Sequence, residues 1–141
     1  MNCTSLSNID LSGIEVLGDI NQSGAAGSGA FYGCSSLSNV SFDNVKELGT
    51  YVIYNIGYPY QNTVIYFPKL EKIGGNPFGM NKNIYCAVFG PNLTQVTSGF
   101  ALQANNRTSN YVFLCSTPPT VVGTLSINTS AIIYVPDKTL Y

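Results

Sequence analysis

The chain has 141 residues, 45% of them hydrophobic, which is enough for the core of a single domain over residues 1–141 and argues against disorder. Charged residues make up only 9% of the chain and the six Lys and Arg residues are scattered singly, so no basic stripe is available for a nucleic-acid backbone. No apolar run approaches the roughly 20 residues of a membrane helix, and residues 1–5 lack the features of a signal peptide. We therefore expect neither nucleic-acid binding nor membrane insertion.

A repeated unit runs along the chain. The first two units match at every apolar position at an offset of 31 residues, the next two follow at offsets of 25 and 23, and the last two are weaker. Periods of this size are typical of solenoid proteins. Alternating apolar residues in each unit predict a short parallel strand, and a short helix or irregular turn is expected after it. The six units in chain order are 3–18, 34–49, 64–74, 87–96, 112–116 and 132–136.

Several motifs of these units resemble a known family. The sequence Cys-x-Ser-Leu-x-Asn-Val-x-Phe at 34–42, Ala-Phe-Tyr-Gly-Cys at 30–34 and Thr-Pro-Pro at 117–119 followed by Ile-Tyr-Val-Pro at 133–136 are similar to the BspA-type leucine-rich repeats of bacterial surface proteins. The resemblance covers almost the whole chain. The middle units depart from it, because Asn62 stands where earlier units have Leu6 and Leu37, and Gly90 replaces Phe67.

The resemblance implies a fold and a role. The fold is an α/β leucine-rich-repeat solenoid, a right-handed and strand-dominated coil of about six units. The role is that of a non-enzymatic protein-binding or adhesion module in an extracellular or cell-surface location. Because no polar capping unit is evident at either end, we expect a fragment of a longer surface protein. The alternatives are a structural spacer that self-associates, or a carbohydrate-binding module.

The strand register predicts a binding face. In the family a proline usually follows the strand, so Pro68, Pro91 and Pro136 predict which side chains point inward. The inward residues are expected to be Ile65, Phe67, Val88, Ile133 and Val135. The residues that alternate with them are expected to point outward. In the first two units these outward residues are polar: Asn8, Asp10, Asn39 and Ser41. In the later units they are apolar and include Ala87 and Ile132. We expect a protein partner or a second copy of the chain to bind at Val64, Tyr66, Phe89, Val112, Leu114 and Tyr134. A register shifted by one residue would bury these side chains instead.

A tyrosine cluster forms a second candidate site. Tyr51, Tyr54, Tyr58 and Tyr60 lie within ten residues of one another, and tyrosine rings can stack on a sugar or on an apolar side chain of a partner. The alternative is structural: Tyr54 packs inward beside its aliphatic neighbours while Tyr58 and Tyr60 cover the edge of the coil.

Residue types argue against catalysis. The chain has no histidine, which removes the commonest general base and metal ligand, and its seven acidic residues are dispersed. No phosphate-binding loop is present, because the glycine-rich stretch 24–29 lacks the following Lys-Ser/Thr. We predict no enzyme, no metal site and no cofactor. The cysteines are expected to be buried free thiols, with disulfides as the alternative.

Overall fold

The computed structural model describes residues 3–21, 29–38, 40–53, 56, 63–78, 84–97, 101–102, 110–124, 126–127 and 131–141. These residues form eleven short strands and no helix. In chain order the strands are β1 (Val16–Leu17), β2 (Glu47–Leu48), β3 (Thr63–Phe67), β4 (Lys72–Ile73), β5 (Ile84–Phe89), β6 (Gln95–Thr97), β7 (Ala101–Leu102), β8 (Asn110–Phe113), β9 (Thr120–Val122), β10 (Ser126–Ile127) and β11 (Ile132–Tyr134).

The strands form three parallel sheets. Their orders are β1-β2-β4-β6-β9, β11-β8-β5-β3 and β10-β7. In the five-stranded sheet Leu17 lies opposite Leu48, and Leu48 lies opposite Ile73. Ile73 in turn lies opposite Val96. These paired positions are separated in the chain by the offsets of the sequence repeat, as expected where parallel neighbours need a long connection between them.

Turns, not helices, follow the strands of the four-stranded sheet. After β3 and β5 the chain turns directly into the short strands β4 and β6 of the five-stranded sheet. Of the two structures expected after each strand, the irregular turn is present and the short helix is absent from the described part of the chain. The fold is thus a strand-rich arrangement of parallel sheets.

Among the described residues, the first two sequence units contribute no strand to the four-stranded sheet. Within the described residues, β3 is the first strand of that sheet in the chain, so four of the six predicted strand units contribute to it. Units one and two are held side by side by other contacts, in which the Ser38 N–H donates to the Ser7 carbonyl at 3.1 Å and the Asn44 amide donates to the Ser12 carbonyl at 2.7 Å. As a result β3 is an edge strand.

A single hydrophobic cluster joins the inward residues of the two larger sheets. Its centre is a stack of aromatic rings contributed by successive units. The centroids of Phe42 and Phe67 are 5.0 Å apart, those of Phe67 and Phe89 are 6.0 Å apart, and those of Phe89 and Phe113 are 5.0 Å apart. Each ring therefore excludes water from its neighbours, and no unit buries its own phenylalanine alone.

The predicted inward positions are correct in β3. Ile65 and Phe67 are buried, while Val64 and Tyr66 between them are exposed. Ile133, also predicted to point inward, is 39% exposed although it lies opposite the buried Tyr111. Among the described strands β11 pairs only with β8, so no further strand covers this position. Val135 is partly buried against the core.

Replacing Phe89 with Ala should lower the free energy of unfolding by about 3–5 kcal/mol, because the substitution leaves a cavity between the rings of Phe67 and Phe113. Tyr66→Ala is the matched control: it removes an aromatic ring from the same sheet, but from an exposed position, and should cost about 1 kcal/mol or less. Equilibrium unfolding in urea measures both losses. Equal losses in the two variants would contradict the inward placement of Phe89.

Candidate functional site

One row of side chains crosses the outer surface of the four-stranded sheet. The strand register places Tyr66 opposite Val88, Val88 opposite Val112, and Val112 opposite Tyr134. Phe89 is not part of this row. It is fully buried opposite Phe67, so its prediction as an outward partner-binding residue is wrong, as is the prediction that Val88 points inward.

The residue next to Phe89 explains the error. The prediction aligned Pro91 with Pro68. In the structure the Gly90 N–H donates to the Phe67 carbonyl at 2.9 Å, so Gly90 comes directly after Phe89, the residue that pairs with Phe67. The chain from Phe89 to Val96 is one position longer than the equivalent chain from Phe67 to Ile73. An extra residue therefore lies between the two sheets in this unit. Phe89, not Gly90, is the counterpart of Phe67, and the same error placed Ala87 outside although it is buried.

Exposed apolar side chains surround the row. Tyr66 and Tyr134, at its two ends, are 47% and 51% exposed, and Val88 and Val112 between them are partly buried. Strands lie roughly 4.8 Å apart, so the row is about 14 Å long. Val64 and Ile132 beside the tyrosines and Leu114 after β8 are also exposed, as predicted. We call this surface the sheet face; its residues are Val64, Tyr66, Val88, Val112, Leu114, Ile132 and Tyr134.

A β-bulge adds one aromatic residue that the sequence repeat does not reveal. Thr63 pairs with Ile84 and Val64 pairs with Cys86, which leaves Tyr85 as an extra residue on β5. The bulge lets Ile84 stay buried while the Tyr85 side chain is exposed. The buried Asn110 side chain supports this irregular backbone by donating to the Tyr85 carbonyl at 3.4 Å.

The tyrosine cluster is only partly within the described residues. Tyr51 is partly buried, its backbone has a φ of 57°, and its N–H donates to the Gly75 carbonyl at 3.2 Å. Ile53 and Ile56 nearby are buried. Tyr54, Tyr58 and Tyr60 lie outside the described residues, so the predicted recognition cluster stays a prediction.

Two clefts border Ser41 and Asp43, which come shortly before β2 in the chain. One, of about 230 Å³, separates Ser41 and Asp43 from residues 9–12 of the first unit. The other, of about 250 Å³, separates the same two residues from Val64 and Tyr66 of β3. The Ser12 N–H donates to the Asp10 carboxylate at 2.8 Å, and this hydrogen bond lowers the pKa of that carboxyl. The second cleft is continuous with the sheet face, since Val64 and Tyr66 belong to both.

The thiols and carboxylates of the described chain form no metal cluster of three or more ligands. All four cysteines are free; Cys34, Cys86 and Cys115 are buried and Cys3 is exposed. Burial raises the pKa of the Cys34 and Cys86 thiols, which favours their less reactive protonated form.

Comparison with protein-family models, curated proteins and solved structures finds no match to this chain. The likeness to BspA-type repeats therefore rests on the motifs of the sequence itself. Within the described residues there is no helix with the length and apolar character needed to cross a membrane.

Gly90→Ala should lower the free energy of unfolding by about 1–3 kcal/mol. A Cβ at this position would lie 2.1 Å from the Pro68 carbonyl oxygen, so the backbone of one of the two units must move. Gly13→Ala is the control, since a Cβ there has no neighbour within 4 Å, and it should change stability by about 0.5 kcal/mol or less. Urea unfolding of both variants tests the close approach at Gly90; a Gly90→Ala variant as stable as Gly13→Ala would refute it.

Proposed function

We propose that this chain is a non-enzymatic protein-binding or adhesion module at the bacterial cell surface, built as a leucine-rich-repeat solenoid of the BspA type. The sheet face is its binding surface. The observation that carries the proposal is the register that aligns Tyr66, Val88, Val112 and Tyr134 on the outside of one sheet.

Support for the solenoid comes from strand pairing. Strands of the two larger parallel sheets recur along the chain. In the five-stranded sheet the paired residues of successive strands keep the spacing of the sequence units. Inward residues pack against their equivalents in neighbouring units, as the phenylalanine stack does. Packing between successive units is typical of repeat proteins, which use the open side of the stack for binding.

Support for a protein partner comes from the chemistry of the sheet face. Isolated soluble proteins seldom expose large contiguous apolar patches, and those they expose often mark interaction sites. Tyr66 and Tyr134 offer large rings with a polar tip, a residue type enriched at the centres of protein interfaces. None of the seven residues of the face carries a charge, so shape and apolar burial would dominate the affinity.

Self-association is the main rival to this proposal. A structural spacer that stacks against another copy would cover the same sheet face, and the exposed tyrosines fit that role as well. The two proposals differ in the state of the isolated chain: a recognition module is monomeric until its partner arrives, whereas a spacer assembles with increasing concentration. Carbohydrate binding would use the tyrosine cluster, most of which lies outside the described residues.

The absence of histidine from all 141 residues supports the non-enzymatic part of the proposal. Among the described acids, Glu15 and Glu47 lie in ion pairs with Lys46 and Lys72 at 2.9 and 2.7 Å. These pairs connect neighbouring units of the five-stranded sheet, which is a structural use of charge.

Peptides selected from a random display library against the wild-type chain should lose about tenfold or more in affinity for the double variant Tyr66→Ser/Tyr134→Ser, because truncation of a single hot-spot aromatic costs about 2 kcal/mol or more and about 1.4 kcal/mol corresponds to tenfold. The control, Val16→Ser/Val122→Ser, removes two exposed apolar side chains from the five-stranded sheet instead. It should bind normally. Affinities are measured by biolayer interferometry.

Light scattering of the same variants separates the two roles. The recognition proposal expects a monomer across the concentration range. A wild-type dimer that dissociates in Tyr66→Ser/Tyr134→Ser would favour the spacer, and selected peptides that bind both double variants equally well would exclude the sheet face as the recognition surface.

A further inference from the structure

Two cysteines occupy the same position in the first two units. Cys3 and Cys34 are separated by 31 residues, which is the offset between these units, and each begins a tight turn. The Cys3 carbonyl accepts a hydrogen bond from the Leu6 N–H at 3.1 Å, and the Cys34 carbonyl accepts one from the Leu37 N–H at 3.0 Å. We propose that Cys3 and Cys34 form a disulfide site, whose two thiols join when the chain meets a thiol oxidant.

The two turns lie beside each other. The Ser36 hydroxyl donates to the Thr4 carbonyl, and the Ser38 N–H donates to the Ser7 carbonyl at 3.1 Å. These hydrogen bonds come shortly after the two cysteines in the chain and hold their units in register. Equivalent positions of parallel neighbours are roughly 4.8 Å apart, and the Cα atoms of a disulfide are usually about 4.4–6.8 Å apart. The spacing of the units therefore suits a covalent link.

The two thiols differ in exposure. Cys34 is 2% exposed, whereas Cys3 is exposed. Burial raises the pKa of Cys34, and its thiol has both the backbone and the side chain of Cys3 as hydrogen-bonding neighbours. An oxidant in solution therefore reaches the Cys3 sulfur first, and Cys34 is placed to attack that same sulfur next.

A small disulfide such as oxidised glutathione is the oxidant. The Cys3 thiolate attacks one of its sulfurs, forms a mixed disulfide and releases one glutathione thiolate. Cys34 then gives up its proton to water and attacks the Cys3 sulfur, which releases the second glutathione. Two protein thiols and one small disulfide thus become one protein disulfide and two small thiols. Protein disulfides persist in oxidising surroundings such as the outside of a cell, which is the location that the proposed function implies.

The other two cysteines, both within the described residues, lie far from each other. In the four-stranded sheet Cys86 is opposite Val64 on one side and Asn110 on the other. Cys115 comes five residues after Asn110, which is roughly 16 Å along an extended chain. Its sulfur lies 2.9 Å from the Tyr141 hydroxyl. We therefore expect Cys86 and Cys115 to remain thiols.

The link would fasten the unit that is least buried. Among residues 3–18 only Leu11 is buried, and β1 of this unit is an edge strand of the five-stranded sheet. Segments with few buried apolar contacts open locally more readily than the core. A disulfide restricts the conformations of the opened chain, so it favours the closed state. The Cys3–Cys34 link would therefore act as a covalent cap on this edge.

Oxidation of the full, reduced chain with glutathione disulfide tests the inference. After the remaining thiols have been alkylated, trypsin cleavage at Lys46 leaves Cys3 and Cys34 on one peptide, while Cys86 and Cys115 fall on two others. Mass spectrometry should find the first peptide unalkylated and lighter by two hydrogen atoms than its reduced form. The peptides of Cys86 and Cys115 should both be alkylated.

Native-state hydrogen exchange is the second measurement. The Ser38 amide, which donates to the first unit, should exchange about tenfold or more slowly in the oxidised chain, because the link restrains local opening. The Thr120 amide, which donates to the Thr94 carbonyl at 2.8 Å in a distant part of the same sheet, should be unaffected. Cys3→Ser is the matched control: it alters only an exposed thiol, and the oxidant should leave its Ser38 exchange unchanged.

The outcomes are distinct. An internal link in the peptide that carries Cys3 and Cys34, together with slower exchange at Ser38, would support the inference. A mixed disulfide that persists at Cys3, or a link that includes Cys86 or Cys115, would overturn the site. A link that leaves Ser38 exchange unchanged would overturn its role as a cap. None of these results depends on binding at the sheet face, so this inference and the proposed function can fail separately.

Discussion

Ring packing along Phe42, Phe67, Phe89 and Phe113 is the interaction on which the rest of the structure depends. Side chains alternate between the two faces of a strand, so an inward phenylalanine in each unit decides which of its neighbours is exposed. No unit can bury its ring without the next one. Burial of the stack and the appearance of the sheet face are therefore two results of one packing arrangement.

The stack extends further than the sheet that carries it. Phe42 packs on Phe67, yet the described residues around Phe42 do not join the four-stranded sheet, and β3 is left as its edge. The cleft between Asp43 and β3 lies where ring packing continues and strand pairing stops. Asp43 of this cleft therefore lies close to the uncharged sheet face.

Some of this arrangement could be predicted from the sequence and some could not. The outward positions of Val64 and Tyr66 followed from alternation in the chain, because burial of one face forces that pattern. The repeat offsets also match the spacing of the paired residues in the five-stranded sheet, although the second strand of each unit, which forms that sheet, was not predicted. Phe89 was placed wrongly because a proline was used to set the register, and Gly90 adds a residue before that proline. Aligning the phenylalanines instead would have given the correct register and identified Val88.

Other features depend on local geometry that residue types do not encode. The bulge at Tyr85 exposes a ring by adding one residue within a strand, and the sequence around it is an ordinary apolar run. Among the described residues, the second unit contributes no strand beside β3, although its repeat motif is strong. Whether a segment pairs as a strand depends on contacts with units distant in the chain, and not on the sequence of that segment alone.

Solvent accessibility of individual rings tests the central claim most directly. With a soluble paramagnetic gadolinium complex in solution, relaxation of the ring protons of Tyr66 and Tyr134 should increase strongly, while those of Phe67 and Phe89 should be protected. That result would establish the register that buries the phenylalanine stack and exposes the sheet face. Relaxation of Phe89 as strong as that of Tyr66 would contradict it, and with it the proposed binding surface.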